Sequence, residues 1–154
     1  MSQFTRVISS PIGELFLSAS ASGLCRIEIV SDEEAGRRKR ILVMSKSPSM
    51  IVQIHLDESV NWLNAFFADP HNLPKQPDFD FGNAGDFFRR VWGFLASSEV
   101  GQTLTYGELA RAVDNPGASR AVGTAMTTNP IPIIVPCHRV LPKSQEIGRY
   151  SGLG

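Results

Sequence analysis

Residues 133–141, IIVPCHRVL, place Cys137 between a proline and a histidine at the end of an apolar run. A thiolate is a strong nucleophile, and a neighbouring imidazole can take the thiol proton. Pro136 restricts the backbone ahead of Cys137 and helps to fix the direction of the sulfur. A strand burying Ile133 to Val135 would ordinarily end in turn residues. A thiol beside an imidazole at that point suggests nucleophilic chemistry by Cys137, with His138 as its base. A purely structural Cys–His neighbour pair is compatible with the same residues. A metal-ligand pair is less so: the only other cysteine and histidines are Cys25, His55 and His71, and neither cysteine sits in a C-x-x-C pattern. No metal and no cofactor are expected.

The elements that must aim this segment read as helical. Asp86 is a candidate N-cap for a helix through FFRRVWGFLASS, where Phe87, Val91, Phe94 and Leu95 recur at helical spacing. After GQT, a short helix over residues 105–113 has Thr105 as N-cap and Glu108 as its capping-box partner. DNPG turns the chain, and residues 118–128 form a third helix that ends at Asn129-Pro130. Helix, tight turn and helix give the outline of a helix-turn-helix, an outline shared with plain helical hairpins. The second helix adds content. Ala118, Ser119 and Gly123 are small enough to let a backbone approach a groove, and Arg120 is a lone long cation that can fill the space a displaced base leaves. Tight helix packing with an exposed arginine would use the same residues.

PCHRV (136–140), preceded by TYGELA and SRAVGTAMTTNPIPIIV and followed by GRYSG (148–152), resembles the signature of the O6-alkylguanine-DNA alkyltransferases. The match is dense over residues 86–153 and looser at SSPIGEL and NWLNAFFA. The resemblance implies an α+β fold. Residues 1–82 would form a ribonuclease H-like α/β lobe with a small, mostly antiparallel sheet, and residues 83–154 a helical lobe carrying the helix-turn-helix. It also implies roles. Cys137 would accept the alkyl group, with His138 as base through a water. Arg120 would replace the flipped guanine, and Tyr106 would meet the adjoining phosphate. Ala118, Ser119 and Gly123 would lie along the minor groove. Asn129 would hinge the recognition helix to an active-site strand. Met126, Pro132 and Val140 would line the pocket, with Tyr150 and Ser151 on the loop that closes it.

The remaining sequence reads as a separate N-terminal unit. Residues 4–18 alternate and break at SSPIG, a β-hairpin pattern, and GLCRIEIV follows as a third strand with Cys25, Ile27 and Ile29 on one face. Cys25 is thus a core residue. SDEEAGRRKR reads as a charged, solvated loop or frayed helix. From Ile51 the spacing turns helical, with Ile54, Val60, Trp62, Leu63, Phe66 and Phe67 as the apolar stripe. ADPHNLPKQP is a proline-rich connector, PDFDF offers one more short strand, and the boundary between units falls near residues 70–85.

Composition excludes other classes. The 154 residues are 42% hydrophobic and 19% charged, as in an ordinary globular chain. No apolar run is long enough to span a bilayer, and the N-terminus lacks the basic and apolar regions of a secretory signal. An intracellular protein is expected, cytoplasmic in a prokaryote and nuclear in a eukaryote. Net charge is zero, yet residues 87–154 hold seven basic and four acidic groups, so the C-terminal half is the one suited to phosphate.

These readings combine into direct, stoichiometric and irreversible transfer of an alkyl group from O6 of a flipped guanine, or O4 of thymine, to Cys137. The partner would be double-stranded DNA, with the chain acting as a monomer. The alternatives are a non-catalytic protein that flags alkylated DNA for other machinery, and a thiol hydrolase that would leave the helix-turn-helix without a purpose. Two departures qualify the resemblance. Leu153 stands where a second glycine is common. The family's chain also continues into a helix whose glutamate orients the histidine, whereas this sequence stops at Gly154, so slow transfer is expected of the chain as given.

Overall fold

The structure, a computed structural model, describes residues 3–42 and 47–141. Its chain divides into two compact units, Met1–Gly82 and Asn83–Gly154. Together they mix helices with a small antiparallel sheet.

In the first unit, β1 (Phe4–Ser10), β2 (Gly13–Ser20) and β3 (Gly23–Val30) form an antiparallel sheet in the order β1-β2-β3. The hairpin register pairs Phe4 with Ala19 and Ser10 with Gly13. Helix α1 (Asp32–Leu42) packs against β2, and α2 (Met50–Ala68) packs across the sheet. Leu15, Phe16 and Leu17 are consecutive and fully buried, so the central strand is covered on both faces. Phe16 packs with Val30 and Ala35, while alternation sends Leu15 and Leu17 to the opposite face. PDFDF contributes one parallel bridge, Leu24 to Phe79, flanked by the bonds Leu24 N–H to Asp78 O and Asp80 N–H to Leu24 O, each 2.8 Å. Gly23 is required there: at φ +151° a β-carbon would lie 2.5 Å from the Asp78 carbonyl oxygen.

The structure refines two sequence expectations, and a third holds. Of the loop or frayed helix expected at SDEEAGRRKR, the structure has the helix, starting at Asp32: Ala35 is buried and the charges suit the helix dipole, acids in the first turn and bases in the last. Its basic run is largely occupied by carboxylates: Arg38 bonds Glu28 at 2.7 and 3.2 Å, Lys39 meets Glu14 at 3.3 Å, and Arg37 meets Glu34. In α2 the buried face is Val52, His55, Leu56, Ser59, Trp62 and Leu63, leaving Ile54 43% exposed. Its face is tolerant of polar residues because Ser59 Oγ bonds the His55 carbonyl and His55 Nε2 pairs with the Ala21 carbonyl. Cys25 is a buried thiol near Asp80, as the strand pattern indicated, and burial raises its pKa above the ordinary thiol value.

In the second unit, α3 (Asp86–Ala96) buries Val91, Trp92, Leu95 and Ala96; Phe87 and Phe94 are only half-buried. The N-cap is Gly85 rather than Asp86, which occupies the first turn and pairs with Arg90 instead. A two-residue strand β4 (Leu104–Thr105) leads into α4 (Tyr106–Ala112), and α5 (Ser119–Thr127) follows. The reciprocal capping box at the start of α4 is present: Glu108 N–H donates to Thr105 Oγ1 and Thr105 N–H to Glu108 Oε1, both 3.1 Å. Gly117, at φ +89°, ends the turn between α4 and α5.

Candidate active site

The chain leaves α5 and reaches Cys137 through a loop rather than the strand expected from its apolar residues. Residues 131–137 are all buried, yet they run as successive turns and end in a single 3-10 turn, Cys137–Arg139. The reason lies in the prolines. Pro130, Pro132 and Pro136 each lack an N–H donor and fix φ, so the segment cannot pair as a strand.

Its polar backbone is satisfied locally. Asn129, 7% exposed, accepts from Ile131 N–H at 2.9 Å through Oδ1 and donates to the Val135 carbonyl at 2.8 Å through Nδ2. One carboxamide thus clips both ends of the loop. Val135 N–H closes the same loop onto the Ile131 carbonyl at 3.0 Å. Inside it, Ile134 N–H bonds the Pro132 carbonyl at 2.9 Å across Ile133, whose φ is +75°. This is the strained form of γ-turn, and positive φ costs a non-glycine residue roughly 1–2 kcal/mol. A second, relaxed γ-turn follows: Cys137 N–H bonds the Val135 carbonyl at 2.9 Å across Pro136, at φ −82° and ψ 73°.

Two further contacts seat the 3-10 turn. Val140 begins β5 (Val140–Leu141), which pairs in parallel with β4, Leu104 opposite Val140. The residues just after His138 and Arg139 are thereby tied to the residues just before Tyr106. Arg139 donates to the Ser98 carbonyl at 3.0 Å and to Ser98 Oγ at 2.8 Å, at the C-terminal end of α3. Helix α5 is held from the same side, since Trp92 Nε1 of α3 donates to the Ala125 carbonyl at 2.9 Å. That carbonyl belongs to the last turn of α5, where helical partners run out.

Cys137 is 1% exposed. His138 is half-buried, and desolvation, with a smaller push from the Arg139 charge, holds its pKa below the ordinary imidazole value of 6.5. It is therefore neutral at pH 7 and able to accept a proton. Its Nδ1 is buried and has no hydrogen-bond partner among the described residues.

The other expected site residues fall into two groups. Met126 and Val140 are fully buried, and Pro132 is buried in the loop. On the α4–α5 side, Arg120 is exposed and Ala118, the N-cap of α5, is half-buried with Ser119. At Gly123, half-buried, a β-carbon would stand 3.5 Å from the Tyr106 ring, so the ring of α4 rests on α5. Tyr150 and Ser151 lie outside the described residues. Sequence reasoning passed over Arg139, Trp92 and Ser98. The first two sat within quoted motifs, and a long polar group embedded in an apolar stretch was the available signal; nothing marked Ser98.

The fold and site are those of an α+β chain in which a buried cysteine with an imidazole neighbour sits next to a pair of helices. Comparison with known proteins specifies which class. The family profile "6-O-methylguanine DNA methyltransferase, DNA binding domain" matches residues 86–154. The human methylated-DNA–protein-cysteine methyltransferase is 34% identical, over 94% of this chain and 72% of its own length. The Mycobacterium tuberculosis O6-methylguanine methyltransferase crystal structure is similar at TM-score 0.74 and 35% identity, covering 98% of this chain and 86% of that one. The same bacterium's OGT in complex with DNA matches at TM-score 0.73 and 35% identity, covering 96% and 83%. The chain belongs to the methylated-DNA–protein-cysteine methyltransferase family.

Proposed function

We propose that this protein repairs DNA by moving an alkyl group from O6 of guanine to its own Cys137. The observation that supports this most is the single clipped loop, residues 129–137, which joins the end of α5 to the cysteine–histidine turn through Asn129. In this reading α4 and α5 act as a helix-turn-helix. Ala118, Ser119 and Gly123 lie toward the minor groove, the exposed Arg120 side chain takes the place of a flipped base, and Tyr106 meets the neighbouring phosphate. Met126, Pro132 and Val140 supply apolar surface for the alkyl group, and Tyr150 and Ser151 take part in holding the base. O4-alkylthymine is a second substrate of the same geometry.

The chemistry balances simply. The thiol proton passes to neutral His138 through a water, the sulfur attacks the alkyl carbon in line, and the bond from that carbon to O6 breaks. The guanine departs with the electron pair, its oxygen eased by hydrogen-bond donors, and takes a proton back. A thioether is not reversed by hydrolysis, so each monomer acts once. Among the described residues no helix is long and apolar enough to cross a membrane.

Intact mass spectrometry after mixing with duplex DNA containing O6-methylguanine tests the proposal. The protein should gain one methyl group, and peptide mapping should place it on Cys137. An unchanged mass with retained binding would instead favour a protein that only flags lesions.

His138 carries a pH prediction. Because its folded pKa lies below the ordinary value, the base form persists to a lower pH than for a free imidazole. Single-turnover transfer should therefore keep its His138-dependent contribution down to about pH 6.5 and lose it only at more acidic pH. That acid limb should vanish in His138→Asn. An inflection above the ordinary imidazole value, lost in the same variant, would refute the assignment.

A further inference from the structure

We infer that Ile133 is a positioning residue, whose strained γ-turn aims the Cys137 backbone; the inference rests on the reading of Cys137 as alkyl acceptor. Among described non-glycine residues only Asp114 and Ile133 have positive φ. Asp114 follows the last turn of α4, where a short polar side chain adopts that conformation readily. Ile133 is different. It is β-branched, 3% exposed and set in an apolar loop, where the left-handed region is a true outlier. Such a conformation persists only where its surroundings over-determine it.

Here they do. Pro132 fixes the preceding φ and biases Ile131 toward extended backbone. The Asn129 carboxamide binds Ile131 on one side and Val135 on the other, and Val135 N–H returns to Ile131. The chain between these clips must reverse within three residues, and the γ-turn at Ile133 performs that reversal. The Val135 carbonyl, fixed by Asn129, is also the acceptor for Cys137 N–H. Clip and nucleophile thus share one peptide group, two residues after the γ-turn at Ile133. A shift at Ile133 rotates that peptide and, with it, the start of the turn that carries Cys137 and His138. An isoleucine rather than a glycine keeps the turn single, because its buried side chain anchors the one conformation, whereas glycine would be free to relax into others.

The geometry predicts a separation between binding and transfer. Ile133→Val retains the branch and most of the volume and should transfer at close to the wild-type rate. Ile133→Gly removes the anchor and frees φ, and its single-turnover transfer rate should fall at least about tenfold, since small misplacements of a reacting group cost that much or more. Its dissociation constant for O6-methylguanine duplex should stay within about twofold, because α4 and α5 are untouched. Ile133→Ala, which loses the side chain but keeps a β-carbon, should fall between them and serves if the glycine variant does not fold. Folding is checked by circular dichroism at the assay temperature. A folded glycine or alanine variant with wild-type transfer, or one whose rate falls only in step with DNA affinity, would overturn the inference. Mapping the methyl group on the wild-type protein separates this failure from the larger one: a methyl found elsewhere than Cys137 would defeat the functional reading itself.

Discussion

Cys137→Ser is expected to abolish alkyl transfer while leaving affinity for lesion-bearing duplex within a few fold of wild type. The hydroxyl is nearly isosteric with the thiol, so the loop from Asn129 to Val140 can keep its hydrogen bonds. What is lost is the nucleophile. A serine hydroxyl is almost wholly protonated at neutral pH and needs a far stronger base than a thiol does. The described Nδ1 of His138 has no partner, so the arrangement that activates serine in hydrolases is lacking among the described residues. Cys25→Ser is the matching control. Cys25 lies on β3, buried, with its thiol near the Gly23 carbonyl and Asp80, and burial raises its pKa, which makes it the less reactive of thiol types. That variant should transfer one alkyl group as the wild type does. Residual methylation of the Cys137→Ser protein, or loss of transfer in folded Cys25→Ser, would show that the nucleophile is elsewhere.

Much of the fold was legible because its signals are local. The hairpin of β1 and β2 follows from alternation and a turn at Pro11-Ile12, and the start of α4 from Thr105 and Glu108 alone. Where tertiary contacts decide, local reading failed. Helix α1 read as a solvated loop or frayed helix because Ala35, the one buried residue among those described in it, is small, and its carboxylate partners Glu28 and Glu14 lie in other elements. Ile54 fitted the helical period, but α2 turns His55 and Ser59 inward instead, since each finds a carbonyl. A buried polar residue with a partner defeats any rule that equates burial with apolarity.

At the site, residue identity was readable and backbone path was not. Ile133 to Val135 have strand-forming side chains, and only the spacing of Pro130, Pro132 and Pro136 warned against pairing. The positive φ at Ile133 was beyond reach, because isoleucine is the residue type that argues most strongly against it. Gly123 was read as clearance for a groove, whereas it also seats the Tyr106 ring, so one small residue serves the α4–α5 packing as well. Arg139 shows the same limit. Its bonds to Ser98 cross 41 positions in sequence, and no local pattern announces them.

Arg120→Ala should lower transfer from duplex DNA by roughly a hundredfold to a thousandfold while changing transfer from free O6-benzylguanine by less than about threefold. Extruding a base costs a few kcal/mol in lost stacking and pairing, and each 1.4 kcal/mol corresponds to a factor of ten. A side chain that occupies the vacated stack offsets that cost, and the free base never incurs it. Arg120 suits the task because it is exposed, lies in the first turn of α5, and its guanidinium makes no hydrogen bond or ion pair among the described residues. It is therefore available without breaking an internal contact. Its backbone carbonyl, which accepts from Thr124 Oγ1 at 3.2 Å, is unaffected by the substitution, so the helix should remain intact. Arg120→Lys separates shape from charge. A lysine restores the phosphate attraction but not the flat guanidinium that can stack between bases, so it should recover only part of the duplex rate. If the alanine variant loses duplex and free-base transfer equally, Arg120 supports the fold of α5 rather than the flipped state. If lysine restores the full rate, its contribution is charge alone and the stacking role is wrong.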